Sequence, residues 1–226
     1  FMTEYIHRPF RLTKLKKAFS KWQYELDGKA WNTLYLENHD HPRIISRYGD
    51  DGRFHSESGT MLAVCYLFQQ GTPFIYQGQE IGMTNIRLAS IDQYVDVSSR
   101  TNFHRFHTKD PMEKRMDRIY VSSRDSARTP MQWDNSKNAG VTSGKPWFFV
   151  NPNYRKINAA EQVARADSVF NYYKKLIELR HNYDIIVYGH YELLEAEDPD
   201  LFVYTRELDG KKLLVVCNFS EHEREF

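Results

Sequence analysis

Cysteine is scarce: the 226 residues hold two, Cys65 inside a helical pattern and Cys217 inside a strand pattern. Two such residues do not make the disulfide framework of a small secreted domain, and they read as buried free thiols in a reducing, cytoplasmic setting. A surplus of one charge sign is also missing. Lys and Arg number 31 against 30 Asp and Glu, a net charge of +1, which excludes the basic field of a nucleic-acid or membrane-surface binder. No apolar run approaches the roughly 20 residues needed to cross a bilayer, and the N-terminal stretch lacks the pattern of a secretory signal. Hydrophobic residues make up 41% of the chain and aromatics 15%. The first share suffices for a sizeable core. The second supplies flat faces of the kind that suit sugar rings, although most rings are expected in the core.

Taken in order, residues Phe1 to Arg11 show no periodicity. From Thr13 as N-cap, Leu15, Ala18, Phe19, Trp22 and Leu26 keep helical spacing, with Lys14, Lys16, Lys17 and Lys21 on other faces, and Asp27-Gly28 ends the helix. The run Trp31–Leu36 reads as a buried strand that stops abruptly at a polar cluster, Glu37-Asn38-His39-Asp40-His41-Pro42-Arg43. A second helix, apolar nearly all round, is expected from about Ser56 to Gln70 with Gly71 as its C′ residue. A second strand follows over Thr72–Gln77. Helix–strand–helix–strand with short connections predicts βα units on a parallel sheet, which closes as a barrel or stays open as a doubly wound sheet.

From Ile81 to about Ala164 the pattern is loop-like apart from a short helix near Pro111–Ile119; Trp133 and Trp147 in this stretch have rings that suit stacking on sugar, but each is expected in the core. Ser168 caps an amphipathic helix ending near His181-Asn182. The period then changes to two over Tyr191–Glu195, Leu201–Leu208 and Lys211–Phe219, with Asp209-Gly210 as a type I′ hairpin signal. The expected division is an α/β part over 1–183 and the beginning of an all-β part over 184–226.

The segment Leu36-Glu37-Asn38-His39-Asp40 resembles the seventh-strand motif of the α-amylase superfamily of glycoside hydrolases. His41-Pro42-Arg43, Gln77-Gly78-Gln79-Glu80-Ile81-Gly82-Met83-Thr84-Asn85 and Ala127-Arg128-Thr129-Pro130-Met131-Gln132-Trp133-Asp134 are similar to the oligo-1,6-glucosidase and α-glucosidase branch; Gln79 stands where many relatives carry glutamate. The resemblance implies the last part of a (β/α)8 barrel followed by the start of a β-sandwich domain, truncated at Phe226. It also implies retaining hydrolysis of short α-1,6- or α-1,4-linked gluco-oligosaccharides such as isomaltose.

By the same resemblance Asp40 is the transition-state-stabilising carboxylate, His39 binds sugar hydroxyls, and Arg128 grips the distal end of the terminal glucose, making the enzyme exo-acting. Asn38 and Arg43 are expected to fix the loop, and Glu80 to be structural. His39-Asp40-His41 as a metal site is disfavoured, because adjacent residues of an extended chain point to opposite sides. The family's nucleophile, acid/base and calcium-type loop would lie upstream, so this chain is expected to be a fragment or a broken gene's product, to need no cofactor and to be inactive by itself. Other readings are trehalose-6-phosphate or sucrose hydrolysis, a non-catalytic relative acting as a partner domain, and a stand-alone binding module.

Overall fold

Helix α1 (Leu12–Leu26) opens the computed structural model, which describes residues 10–226. Most of the irregular stretch read at Phe1–Arg11 therefore lies outside the described residues. The N-cap is Arg11, two residues before Thr13, because Leu12 is already a core residue. The buried face also differs from the expected one: Leu12, Lys16, Ser20 and Gln23 point inward, and Trp22 is exposed. Lys16 is buried because its ammonium donates to three carbonyl oxygens, those of Glu195 (2.5 Å), Asp198 (2.7 Å) and Leu201 (2.9 Å). An ammonium has three donors, and here each finds an acceptor. Burial lowers the Lys16 pKa, against the opposing charges of Asp198, Glu197 and Glu195.

Strands β1 (Thr33–Leu34) and β2 (Thr72–Pro73) pair in parallel, as expected, with Thr33 opposite Thr72 and Leu34 opposite Pro73. Both are shorter than the runs read from sequence. The rungs are Thr72 N–H to Asn32 O and Phe74 N–H to Leu34 O, and Pro73 between them has no N–H to give. Between the strands lie α2 (Ile44–Tyr48) and α3 (His55–Leu67), the latter buried through Leu62, Ala63, Cys65, Tyr66 and Leu67. Helix α3 stops at Leu67, not Gln70, so Gly71 is not its C′ residue. The guanidinium of Arg180 takes the carbonyls of Leu67, Gln69 and Gly71, drawing the chain out of the helix.

The stretch read as mostly loop holds α4 (Val97–Arg105), α5 (Met112–Ser122) and α6 (Ala159–Ala164). Helix α4 buries little beyond Ser99 and Phe103, so it carries almost no apolar periodicity; its signal is the N-cap Asp96, which accepts from Ser98 N and Ser99 N. Helices α4 and α5 pack on a small second core of Ile86, Leu88, Ile91, Tyr94, Phe103 and Ile119. Helix α7 (Val169–Asn182) is capped by Ser168 Oγ accepting from Asn171 N at 3.1 Å. A helical turn, α8 (Asp184–Tyr188), follows where only a boundary was read.

Strands β3 (His190–Leu194), β4 (Leu201–Leu208) and β5 (Lys211–Asn218) form an antiparallel sheet in that order. Asp209 (φ 50°) and Gly210 (φ 73°) make the left-handed turn that the Asp-Gly pair predicts. The main core is continuous from Leu34, Tyr66 and Leu67 to Phe202, Tyr204 and Val215 of this sheet. Cys65 and Cys217 are free and buried at that junction.

Lys16→Met keeps the apolar stem and deletes the ammonium, leaving three carbonyls without their donor. A loss of about 2–4 kcal/mol is expected in urea unfolding, against less than about 0.5 for Lys14→Met on the exposed face.

Candidate active site

The site begins where β1 ends. Leu34 and Leu36 are buried on one side of the extended run, and the next residue, Glu37, is buried too. A buried carboxylate needs a partner, and Arg43 supplies it: Nη1 lies 3.2 Å from Glu37 Oε2, with both side chains 1% exposed. Glu37 Oε1 also accepts from Ile44 N at 2.6 Å. Burial pushes the Glu37 carboxyl up, and the Arg43 charge with the Ile44 N–H pulls it back.

Arg43 spends its remaining donors on two other segments. Nη1 reaches Gln77 O (2.7 Å), Nε reaches Ser126 O (3.2 Å) and Nη2 approaches the Met83 sulfur (3.7 Å). Its own N–H goes to Asn85 Oδ1 at 2.8 Å. One guanidinium thus ties the end of β1 to the loop after β2 and to the turn at 124–128. Gly78 (φ 86°) lets the loop after β2 pass close to Met83 and Arg43, where a Cβ would collide with the Met83 sulfur. Tyr76 adds a second tie, from its hydroxyl to Ala127 O at 3.0 Å. Gln79 is likewise buried and structural, donating to the hydroxyls of Tyr66 and Tyr173. Glu80 is part-buried, and burial raises its pKa.

Asn38 Oδ1 accepts from Asp40 N at 2.8 Å, an Asx-type bend that turns Asp40 outward. Asn38 and Arg43 therefore fix the loop. The Asp40 carboxylate meets two arginines on one oxygen: Arg124 Nη1 at 3.1 Å and Arg128 Nη2 at 3.0 Å from Oδ1. His39 Nε2 stands 3.4 Å from the other oxygen. Desolvation raises the Asp40 pKa, but the Arg124 hydrogen bond and the charges of His39, Arg124 and Arg128 outweigh it and hold the carboxyl below the usual range. Asp40 and Arg128, far apart in sequence, do converge, and they touch. Arg128 also donates Nε to His39 O at 3.0 Å, and its side chain remains 37% exposed.

Arg124 is the residue that sequence reasoning missed. Its guanidinium bridges Asp40 to the buried Asp96, with Nη2 2.6 Å and Nε 3.1 Å from Asp96 Oδ1, and it also reaches Ser98 Oγ at 3.2 Å. Neighbouring Asp125 faces the other way and accepts from Val95 N and Asp96 N. The alternation Arg124–Asp125 beside Arg128 was the available signal. Trp133 and Trp147 correct the core expectation: both are exposed, and Trp147 donates its indole N–H to Arg128 O at 3.1 Å. Among the described residues no group of three or more His, Cys, Asp or Glu side chains is placed to hold a metal.

Residues 2–189 match the family model described as alpha amylase, catalytic domain. The oligo-1,6-glucosidase of Parageobacillus thermoglucosidasius is 53% identical over 217 residues, which is 95% of this chain and 38% of that protein. That of Bacillus cereus is 48% identical over 218 residues, covering 96% and 39%. Among solved structures, the trehalose-6-phosphate hydrolase of Bacillus licheniformis is similar with a TM-score of 0.91 at 45% identity, covering 96% of this chain and 40% of that one. The chain thus spans about two fifths of the length of these relatives. The fold is the C-terminal part of a (β/α)8 barrel followed by the start of an all-β domain.

Glu37→Gln leaves Arg43 a buried charge without its counter-ion, and a loss of about 3–5 kcal/mol in urea unfolding is expected. Asp96 gives the pH test. Burial raises its pKa, but hydrogen bonds from Arg124 and Ser99 and the Arg124 charge bring it below the ordinary value. Its ionised form therefore stabilises the fold above about pH 4, and that contribution is lost as pH falls through the lowered folded value. Asp96→Asn should remove that part of the acid limb when stability is followed by denaturant titration from pH 6 to pH 3.

Proposed function

Because the chain belongs to the α-amylase family of glycoside hydrolases, we propose that it is the C-terminal portion of a retaining, exo-acting α-glucosidase that hydrolyses short α-1,6- or α-1,4-linked gluco-oligosaccharides such as isomaltose. The observation that carries this reading is Asp40, held ionised at the C-terminal end of β1 between Arg124 and Arg128. In barrel enzymes the chemistry sits at the C-terminal ends of the strands. The reading is further supported by relatives named oligo-1,6-glucosidase at 45–53% identity.

In a retaining hydrolysis one carboxylate attacks the anomeric carbon and a second protonates the departing oxygen. Asp40 does neither. It is an anion fixed beside the ring, and its interaction with the sugar strengthens as positive charge develops toward the oxocarbenium ion. The loop beneath it is locked by Asn38 and Arg43, so the carboxylate needs little reorganisation when that charge appears. His39, half turned toward Asp40 and largely exposed, is in position to take a sugar hydroxyl. Arg128 fits the far end of the same ring, since its planar fork donates in more than one direction.

A second reading, trehalose-6-phosphate hydrolysis, is favoured by the likeness to the Bacillus licheniformis enzyme of that name. The two differ in whether an anionic group must be accommodated beyond the scissile bond. A comparison of isomaltose with trehalose-6-phosphate as substrates decides between them.

Two outcomes test the proposal. The chain by itself should turn over neither isomaltose nor nitrophenyl α-glucoside, because retaining chemistry needs two carboxyl groups about 5 Å apart across the bond. In a complete enzyme of the length of its relatives, Asp40→Asn should lower kcat about 10²–10³-fold. Turnover by the isolated chain, or an unimpaired Asp40→Asn enzyme, overturns it.

A further inference from the structure

Arg124 reaches Asp40 Oδ1 at 3.1 Å with the other side of its guanidinium already fixed. An arginine in water samples many rotamers, and a surface arginine–carboxylate pair holds its two partners only weakly. Asp40 is such a partner, with half of its side chain exposed. The anchor is Asp96, whose side chain is 1% exposed: Arg124 Nη2 lies 2.6 Å and Nε 3.1 Å from its Oδ1. Ser98 Oγ accepts from the same Nη2 at 3.2 Å. The rotamers of Arg124 are therefore given up to a buried group, and little more is lost when it meets Asp40.

Asp96 is itself held on both oxygens. Oδ1 accepts from Ser98 N at 3.3 Å, and Oδ2 accepts from Ser99 N at 3.3 Å and from the Ser99 hydroxyl at 2.9 Å. The Ser99 hydroxyl also stands 2.9 Å from Ser123 Oγ, and Asp125 Oδ2 takes the N–H groups of Val95 (2.8 Å) and Asp96 (3.0 Å). The start of α4 and the turn at 124–128 are thus one block, and Arg124 projects from it. Both arginine contacts with Asp40 fall on Oδ1, while Oδ2 lies beside His39. The Asp96 charge also offsets that of Arg124 from the buried side.

We propose that Asp96 is a positioning residue for the hydrolysis: acting through Arg124, it fixes the Asp40 carboxylate so that Oδ1 is engaged by the protein and Oδ2 is the oxygen offered to the sugar. The inference rests on the reading of Asp40 as part of a glucosidase site. Asp96 is buried and acts without meeting the substrate. A carboxylate free to turn would have to reorient as positive charge develops on the ring, and a fixed one does not. Without the Asp96 charge, two guanidinium groups would also face the ring against a single carboxylate. Both effects bear on the transition state more than on the bound substrate, so they act on kcat more than on KM.

The test is steady-state kinetics on nitrophenyl α-glucoside in a complete enzyme of the length of its relatives. Asp96→Asn keeps the cap of α4, since asparagine caps a helix as well as aspartate does, and removes the charge that holds Arg124. Its kcat should fall about 10- to 100-fold, the effect of a misplaced group, with KM little changed. Arg124→Lys keeps a positive charge without the fork that spans two carboxylates, and it should show the same fall, which makes the test independent of how well Asp96→Asn folds. Adding Asp96→Asn to Arg124→Lys should lower kcat no further, because both act on one link. An unchanged kcat in either single variant overturns the proposal, and so does a double variant in which the two falls multiply. An equal fall in Asp125→Asn, which loosens the same end of α4 through its backbone N–H groups, also overturns it, by making Asp96 a prop for the helix. Failure of the underlying glucosidase reading looks different, as an Asp40→Asn enzyme that remains fully active.

Discussion

The ion pair between Glu37 and Arg43 is the constraint on which the site depends. Placing two charges in a dry interior costs several kcal/mol each, and their mutual attraction recovers that only when the remaining donors and acceptors are also satisfied. Here they are. Glu37 takes the Ile44 N–H, and Arg43 gives to Gln77 O and Ser126 O. Because Glu37 and those two acceptors lie on three separate segments, satisfying the pair forces the end of β1, the loop after β2 and the turn at 124–128 into one arrangement. The exposed groups, Asp40, Arg124 and Arg128, inherit their positions from it. A hydrophobic pair of the same volume would be as stable or more so, but it would not specify which backbone segments meet.

How much of this was legible in the sequence follows the same physics. The short strand that leads to Glu37, the buried helix α3, the Ser168 cap and the Asp-Gly hairpin each rest on local chemistry, and each was readable. What escaped was set by distant partners. Lys16 looked like a solvent-facing residue until three carbonyls from 195–201 were brought to it. Helix α3 ended early because Arg180, over a hundred residues away, takes its last carbonyls. Helix α4 was invisible to periodicity because it buries so little, and its one local cue, Asp96, is also the anchor of Arg124. Arg128 drew attention through the resemblance of its motif. Arg124 lies four residues earlier in the same run, and nothing local distinguishes their roles; the distinction comes from Asp96 behind one and Trp147 beside the other.

The sheet β3–β4–β5 is bound to the barrel portion by more than apolar contact. Tyr204 donates its hydroxyl to the carbonyls of α3 at Val64 and Cys65, and Arg206, buried, reaches Gln23 of α1 and Val187 O. Burial lowers the Arg206 pKa to about 10. Its charge is thus retained at neutral pH in a place where it has to be hydrogen-bonded. Polar ties of this kind fix the orientation of the sheet on the helices, which apolar packing alone leaves freer to slide.

The charge balance around Asp40 bears on what surrounds it in a complete enzyme. Two arginines meet the Asp40 carboxylate at a single oxygen, and the second carboxylate in contact, the buried Asp96, pairs with Arg124 from behind. Two positive and two negative groups balance, so the arginines aim Asp40 but leave the cluster with no surplus of negative charge. A glycosyl transition state carries positive charge on the ring, and a balanced cluster does less for it than an anion alone. A surplus comes from further carboxylates facing the same space, and the two that retaining hydrolysis requires are of the right sign. On the reading proposed above, the carboxylates of the preceding barrel strands supply the reacting groups and at the same time offset the arginines, leaving Asp40 to act on the ring as an anion.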